Sequence, residues 1–460
     1  MRAKRGISRR QFLKTTGIAT AAAWGVAVGR SVLSAPQMLI VKDADIPKAR
    51  PDLLDEKSPE GLEVFQLTTR TDVPGSHLYM EAQIFTMDSK RFVLHRAAHA
   101  HGPYRNDPRH QYLLCDIEDG CAFYPLTDEL GTVGASVSPC GRFLYYFVDE
   151  TEINGGRLTL KQVGLDGSDR RTIMVVDAPL PGTKFRPSRI YPLSTIASDG
   201  NRLAISAFLG DRTDKGATWG LMVFDIPSAT VELVVHGPTW CNMHPQYSRS
   251  LDPVRMHDIL IQENHGNTTS AMGEITRLVG GEGADIHVIR DDGTEMRDMP
   301  WGRDGNEFCQ GHQCWRGRSE WAVTSTSTRN PAEAQLIEAL PAASANHLGM
   351  KTPGGVRNDL TRDFPDPHFY HFATDIGGTR LISDAHPFSE GGRIYMAEFG
   401  EPGKDPLAGF RYLINPKSSC KKEAHIHPFL SPDGTMGFFN SDESGILQAY
   451  MIRGLPKKAG

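Results

Sequence analysis

Four histidines stand at one recurring place in this 460-residue chain. His244, His312, His371 and His427 each lie four positions before a tight-turn sequence, and His425 adds a further ring two residues before His427. An imidazole can take up a proton near neutral pH or hold a metal ion through an unprotonated nitrogen. Histidines that recur in phase therefore point to a proton-transfer site, a metal site, or both. His425 and His427, two apart, share one face of a strand. With His371 they could hold one ion; three imidazoles suit Mn, Fe, Zn, Ni or Cu and are poor ligands for Ca or Mg. Any one of these histidines taken singly also fits a hydrogen-bonded core residue.

The turns that set this phase form a degenerate repeat. Ser431-Pro432-Asp433-Gly434 precedes a short apolar run, as do Ser138-Pro139-Cys140-Gly141, Ala197-Ser198-Asp199-Gly200 and Asp375-Ile376-Gly377-Gly378. Weaker copies begin at Thr86, Ser248 and Arg316, so that seven starts follow one another at roughly 50 to 70 residues. Each interval accommodates a four-stranded blade, with Asp and Gly making the turns and β-branched or aromatic runs making the strands. No sustained helical periodicity follows residue 60. The spacing predicts an all-β, seven-bladed β-propeller over residues 61–455 rather than a sandwich array. Residues 61–69 would close the ring onto the last blade, after a lead-in at 36–60. In such a ring the innermost strands converge on the axis, so residues at equal height on neighbouring blades can meet. The repeated position reads Ala82, Gly134, Leu193, His244, His312, His371, His427.

Residues 1–35 read as an export signal and not as part of the fold. Ser8-Arg9-Arg10-Gln11-Phe12-Leu13-Lys14 is a twin-arginine sequence followed by a weakly apolar run too short and too Gly/Ala-rich for a permanent span. The expected location is the periplasm or the exterior, with no stable membrane insertion after cleavage. The net charge of -5 gives no basic surface for nucleic acid. Seven cysteines without a C-x-x-C pair support neither a zinc site nor a disulfide framework.

From His244 onward the motifs resemble those of the oligogalacturonate lyases, a family of propeller polysaccharide lyases. His312-Gln313-Cys314-Trp315 resembles that family's H-E-F-W segment. The run from Tyr370 to Gly378 is similar to its S-H-L-M-S-N-x-D-G segment, and Lys422 to Pro432 to its Q-x-x-H-P-H-P-x-F-S-P segment. His244-Pro245-Gln246 and Asn264-His265-Gly266 resemble its H-P-x-x-x-P and C-H-E-G segments. The resemblance covers roughly residues 236–452. It implies β-elimination on a uronate-containing oligosaccharide, with His312 as the base and a divalent metal, manganese, held by His371, His425 and His427. His244 and His265 would line the substrate subsites.

Two positions depart from the family pattern. Lys422 stands where the family has a glutamine ligand, and Asp285 where it has an arginine suited to a carboxylate. These departures motivate an alternative, a non-catalytic exported propeller that binds a glycan or a protein partner. Arg96, Arg105, Arg186 and Arg189 are expected to be solvated loop residues, and Trp315 to be core. The stretch from His95 to His101, also rich in histidine, reads either as a loop over the channel or as polar surface.

Overall fold

The computed structural model describes residues 38, 40–152, 156–210, 218–278, 284–302, 307–327, 335–345, 354–364, 369–385 and 391–457. The expected export signal lies outside these residues. Seven antiparallel sheets succeed one another along the chain, at residues 75–125, 132–176, 189–237, 246–298, 308–359, 369–414 and 429–453. They are the seven blades of a β-propeller, numbered here in that order. Among the described residues there is no α-helix, only single 3-10 turns at Pro51–Leu53, Arg255–His257 and Lys422–Ala424. No helix of the described residues is long and apolar enough to cross a membrane.

The turn repeat marks the same place in every blade, the reversal between the first and second strands. Gly200 and Gly434 occupy these turns at φ of 77° and 69°, a conformation that costs glycine little. The second strands, such as Arg202–Phe208 and Phe143–Glu150, bury nearly every central residue because each blade is covered on both faces. Polar contacts then lock one innermost strand to the next. Ser136 Oγ meets Ser194 Oγ at 2.8 Å, the Gln246 amide donates to the Gln313 carbonyl at 2.7 Å, and the Thr374 hydroxyl donates to the Trp315 carbonyl at 3.0 Å. Trp315 is core, as expected: it is buried and its indole N–H donates to the Gln246 carbonyl at 3.0 Å.

The ring closes with N-terminal strands. Glu63–Gln66 pairs antiparallel with Gln448–Arg453, and Lys48–Ala49 adds a fifth strand outside it. Arg50 pins this closure, donating to Gln66 at 3.0 Å, to both oxygens of Asp52, and to Glu443. The lead-in thus belongs to blade 7 over this stretch. Its Asp43 and Asp45 also reach back to blade 1, where both accept from the buried Arg96 guanidinium.

Candidate active site

Two local devices turn the recurring histidines out of the blade ladders. In blades 5 and 6 the innermost strand slips register, between Cys309 and Gln313 and between Phe369 and Phe372. His312 and His371 lie inside those interruptions, where a bulged backbone re-aims side chains. In blades 4 and 7 the histidine precedes the paired part of its strand and takes a positive φ, 48° at His244 and 45° at His427. Such a conformation stores about 1–3 kcal/mol and persists only where the surroundings hold it. The holds are visible. His427 Nδ1 lies 3.1 Å from the Ala100 carbonyl, and His244 Nδ1 lies 3.1 Å from Glu81 Oε2.

The result is a packed group of imidazoles at one end of the channel. Ring centroids of His312 and His371 are 4.6 Å apart, those of His371 and His427 4.3 Å, and those of His371 and His425 5.0 Å. Blade 1 adds His101, whose ring centre is 4.9 Å from those of both His425 and His427. Tyr370 packs against His312 at 4.6 Å, and Tyr79 links His427 to His244 at 4.5 and 5.0 Å.

One nitrogen from each of His101, His425 and His427 lies within 4.8 Å of the other two. These residues fit a metal ion by three observations. The His427 Nδ1 proton is committed to the Ala100 carbonyl, which leaves Nε2 unprotonated. His427 Nε2 and His101 Nε2 are buried and make no hydrogen bond among the described residues. The rings are also neutral, as ligands must be. Burial, reinforced by neighbouring imidazoles, holds His427 and His371 well below the usual histidine range and lowers His101 to about 2. Burial and the Lys422 charge lower His425 to about 4. His371 borders this trio; its Nδ1 lies 2.8 Å from the buried Asp384, so Nε2 is its nitrogen for any ligand. Lys422 is exposed in its 3-10 turn, outside the imidazole group.

His101 is the residue that sequence reasoning left undecided. The stretch from His95 to His101 is not polar surface: His95 and Arg96 end the buried strand Arg91–Arg96, Ala98–His99 pairs with Gly102–Pro103, and Ala100 N–H donates to the Glu423 carbonyl at 3.0 Å, which seats this loop against the segment carrying His425 and His427. The signal available was the spacing, because His99 and His101 repeat the H-x-H of His425 and His427.

His265 directly follows the second strand of blade 4, Asp258–Asn264. Its Nε2 lies 2.8 Å from Asp285 and 3.4 Å from Glu263, across the pair that joins Asp258–Asn264 to Ala284–Arg290. Behind it His287, fully buried, bridges Glu263 at 3.2 Å and Asp298 at 2.7 Å. Asp285 and Glu263 raise His265 to about 10, and Asp298 with Glu263 raise His287 despite its burial. The position where an arginine was expected thus carries an aspartate that holds a charged histidine. Three of the four early-blade arginines also differ from expectation, and Arg186 agrees with it. Arg96 is buried on Asp43 and Asp45, Arg105 pairs with Asp149, and Arg189 stands 3.9 Å from Glu274; Arg186 is exposed.

Fold and site together define a class: a seven-bladed β-propeller that gathers imidazoles at one end of its channel. No family model matches the chain, and no curated protein matches it in sequence. Among solved structures, an oligogalacturonate lyase in complex with manganese aligns with a TM-score of 0.65 at 18% identity, covering 91% of this chain and 98% of that one. The oligogalacturonate lyase of Vibrio parahaemolyticus aligns with a TM-score of 0.63 at 16% identity, over 91% of this chain and 99% of its own. At these identities the likeness is one of fold.

Proposed function

We propose that the protein is a metal-dependent lyase that cleaves uronate-containing oligosaccharides, oligogalacturonate or a related acidic glycan, by β-elimination after twin-arginine export. The observation that carries this reading is the convergence of His312 on the imidazoles of His371, His425, His427 and His101. Its support from outside the chain is the fold shared with oligogalacturonate lyases, one of them a manganese complex.

The reaction removes the weakly acidic C5 proton beside a uronate carboxylate and expels the oxygen on C4. His101, His425 and His427, with His371 beside them, would hold a divalent ion, and such an ion would supply positive charge that stabilises the carbanion-like transition state. His312, half-buried at the edge of this group, takes the C5 proton. Tyr370, against both His312 and His371, fixes the base ring by edge-on packing. Asp384 orients His371 through its ring and its backbone N–H, the latter at 2.7 Å.

Metal analysis of the purified protein, followed by incubation with uronate oligosaccharides, tests the reading. The expected outcome is about one equivalent of Mn or a similar ion and an ultraviolet-absorbing unsaturated product. His312→Ala should lower kcat by about 100-fold or more while the metal is retained. A metal-free protein that releases no unsaturated product from any uronate glycan would return the chain to the alternative of a binding propeller.

A further inference from the structure

The recurring position in blades 1 to 3 holds Ala82, Gly134 and Leu193, which carry no chemistry. Two tyrosines fill that side of the channel instead, Tyr79 from blade 1 and Tyr191 from blade 3. Tyr191 Oη lies 3.0 Å from His244 Nε2, and His244 Nδ1 lies 3.1 Å from Glu81 Oε2. Both histidine nitrogens are thereby engaged, one with a phenol and one with a carboxylate. Glu81 is 4% exposed, and its second oxygen is buried without a hydrogen-bond partner.

This chain of three groups runs between two spaces. Tyr191 shares with Tyr79 and His101 the wall of a small cavity of about 20 Å³, room for a single water beside the imidazole group. Glu81 lines a separate cavity of about 210 Å³ at the far end of the channel, among turn residues such as Pro139, Ser198 and Pro432. The titratable and charged groups around the chain are Tyr79, His101 and Cys241, with Cys314, Arg249 and Arg318 on the cavity that Glu81 lines, together with the three members themselves. No lysine or arginine forms an ion pair with Glu81 among the described residues; its carboxyl is faced by His244 and by the neutral Gln246 side chain.

We propose that Glu81, His244 and Tyr191 form a proton relay that delivers a proton from the far end of the channel to the leaving oxygen, with Tyr191 as the proton donor. This rests on the elimination reading above. As the C5–H bond breaks, its proton goes to His312 and its electron pair forms the C4–C5 double bond. The C4–O bond breaks with its electron pair on oxygen, and that oxygen takes the Tyr191 hydroxyl proton. Tyr191 oxygen receives the Nε2 proton of His244, and His244 receives at Nδ1 the proton shared with Glu81. Tyr191 oxygen gains one proton and loses one; the His244 ring gains one at Nδ1 and loses one at Nε2, and Glu81 is left ionised. The net transfer is a single proton from the Glu81–His244 pair to the sugar. Glu81 is then reprotonated from the 210 Å³ cavity, a flip of the His244 ring turns its protonated nitrogen back to Tyr191, and His312 gives its proton to solvent. The arrangement allows recharging while substrate covers the histidine end. His244 and Glu81 act through Tyr191 and are positioning residues in this scheme.

The test compares two leaving groups. One substrate is a uronate oligosaccharide; the other is a uronate bearing a 4-nitrophenyl ether at O4, whose leaving oxygen needs no acid. Tyr191→Phe should lose about 100-fold in kcat on the oligosaccharide and less than about fivefold on the nitrophenyl ether. His312→Ala should lose activity on both. Glu81→Gln should show the Tyr191→Phe pattern in weaker form and displace a limb of the kcat–pH profile. If Tyr191→Phe does not fold, His244→Gln, which keeps the phenol, must show the same split. Equal losses on the two substrates, or no loss on the oligosaccharide, overturn the relay while leaving the elimination reading intact. A wild-type protein inactive on both substrates overturns the two together.

Discussion

Two groups of histidines, one at the channel end and one on blade 4, are built from the same side chain and kept in opposite states. His101, His371, His425 and His427 are crowded with one another and hold their pKa values below the usual range, because burial disfavours the charged ring and neighbouring imidazoles, or Lys422 beside His425, repel it. His265 and His287 are interleaved with Glu263, Asp285 and Asp298, and the carboxylates raise them. The first group presents lone pairs and the second retains protons. Although Glu263, His265 and Asp285 also offer atoms within 4.8 Å of one another, there the histidine proton already supplies the balancing charge. Histidine count therefore says little about chemistry; the neighbours decide it.

The largest effect that separates the two groups is expected from His427→Ala. It removes the nitrogen whose tautomer is set by Ala100, and with it one ligand of the trio. Metal content should fall to background and kcat/KM by about 1000-fold, or about 4 kcal/mol. Retention of full metal content would show that the imidazole group is not the binding site.

The corresponding cut in the second group is Asp298→Ala, which strands the fully buried His287. Breaking a buried pair from one side costs about 3 kcal/mol, read as a lower denaturation midpoint, with the metal content of the channel end unchanged. The pH dependence follows from the direction of the shifts. A histidine raised in the folded state binds its proton more tightly than in the unfolded chain, so its contribution is complete below the unfolded pKa near 6.5. It is lost as pH rises through the folded value, about 10 for His265. The wild type should therefore lose stability between about pH 6.5 and 10, and Asp285→Asn should flatten this decline. A wild-type midpoint that stays level over that range would mean that His265 is not charged.

The contrast between the groups was partly legible in the residues alone. The column of His244, His312, His371 and His427 could be read because each histidine is tied to a local turn, and local turns leave a mark in sequence. His101 carries no such phase; it reaches His427 by the loop that Ala100 ties to Glu423, over 300 residues away. The blade 4 group was misleading for the same reason. Asp285 looked like a lost receptor, and only the antiparallel register that sets Glu263 opposite Asp285 reveals that both face His265. Arg96 resembled a loop arginine because its partners, Asp43 and Asp45, come from a lead-in whose docking no motif announces.

The smallest expected effect probes Lys422, a cation beside the neutral group. Lys422 is exposed, yet its charge acts on His425 and His101, lowering both below what burial alone would give. A divalent ion at the trio meets the same repulsion. Surface charges act through solvent and contribute less than about 1 kcal/mol, so Lys422→Gln should tighten metal binding by about threefold and not more. The gain should shrink as salt is raised, because screening removes a charge effect within a Debye length of about 10 Å at 0.1 M. A gain much above tenfold that ignores salt would have a different meaning. It would show the glutamine itself entering the ligand set, and the 3-10 turn Lys422–Ala424 moving inward to bring it there.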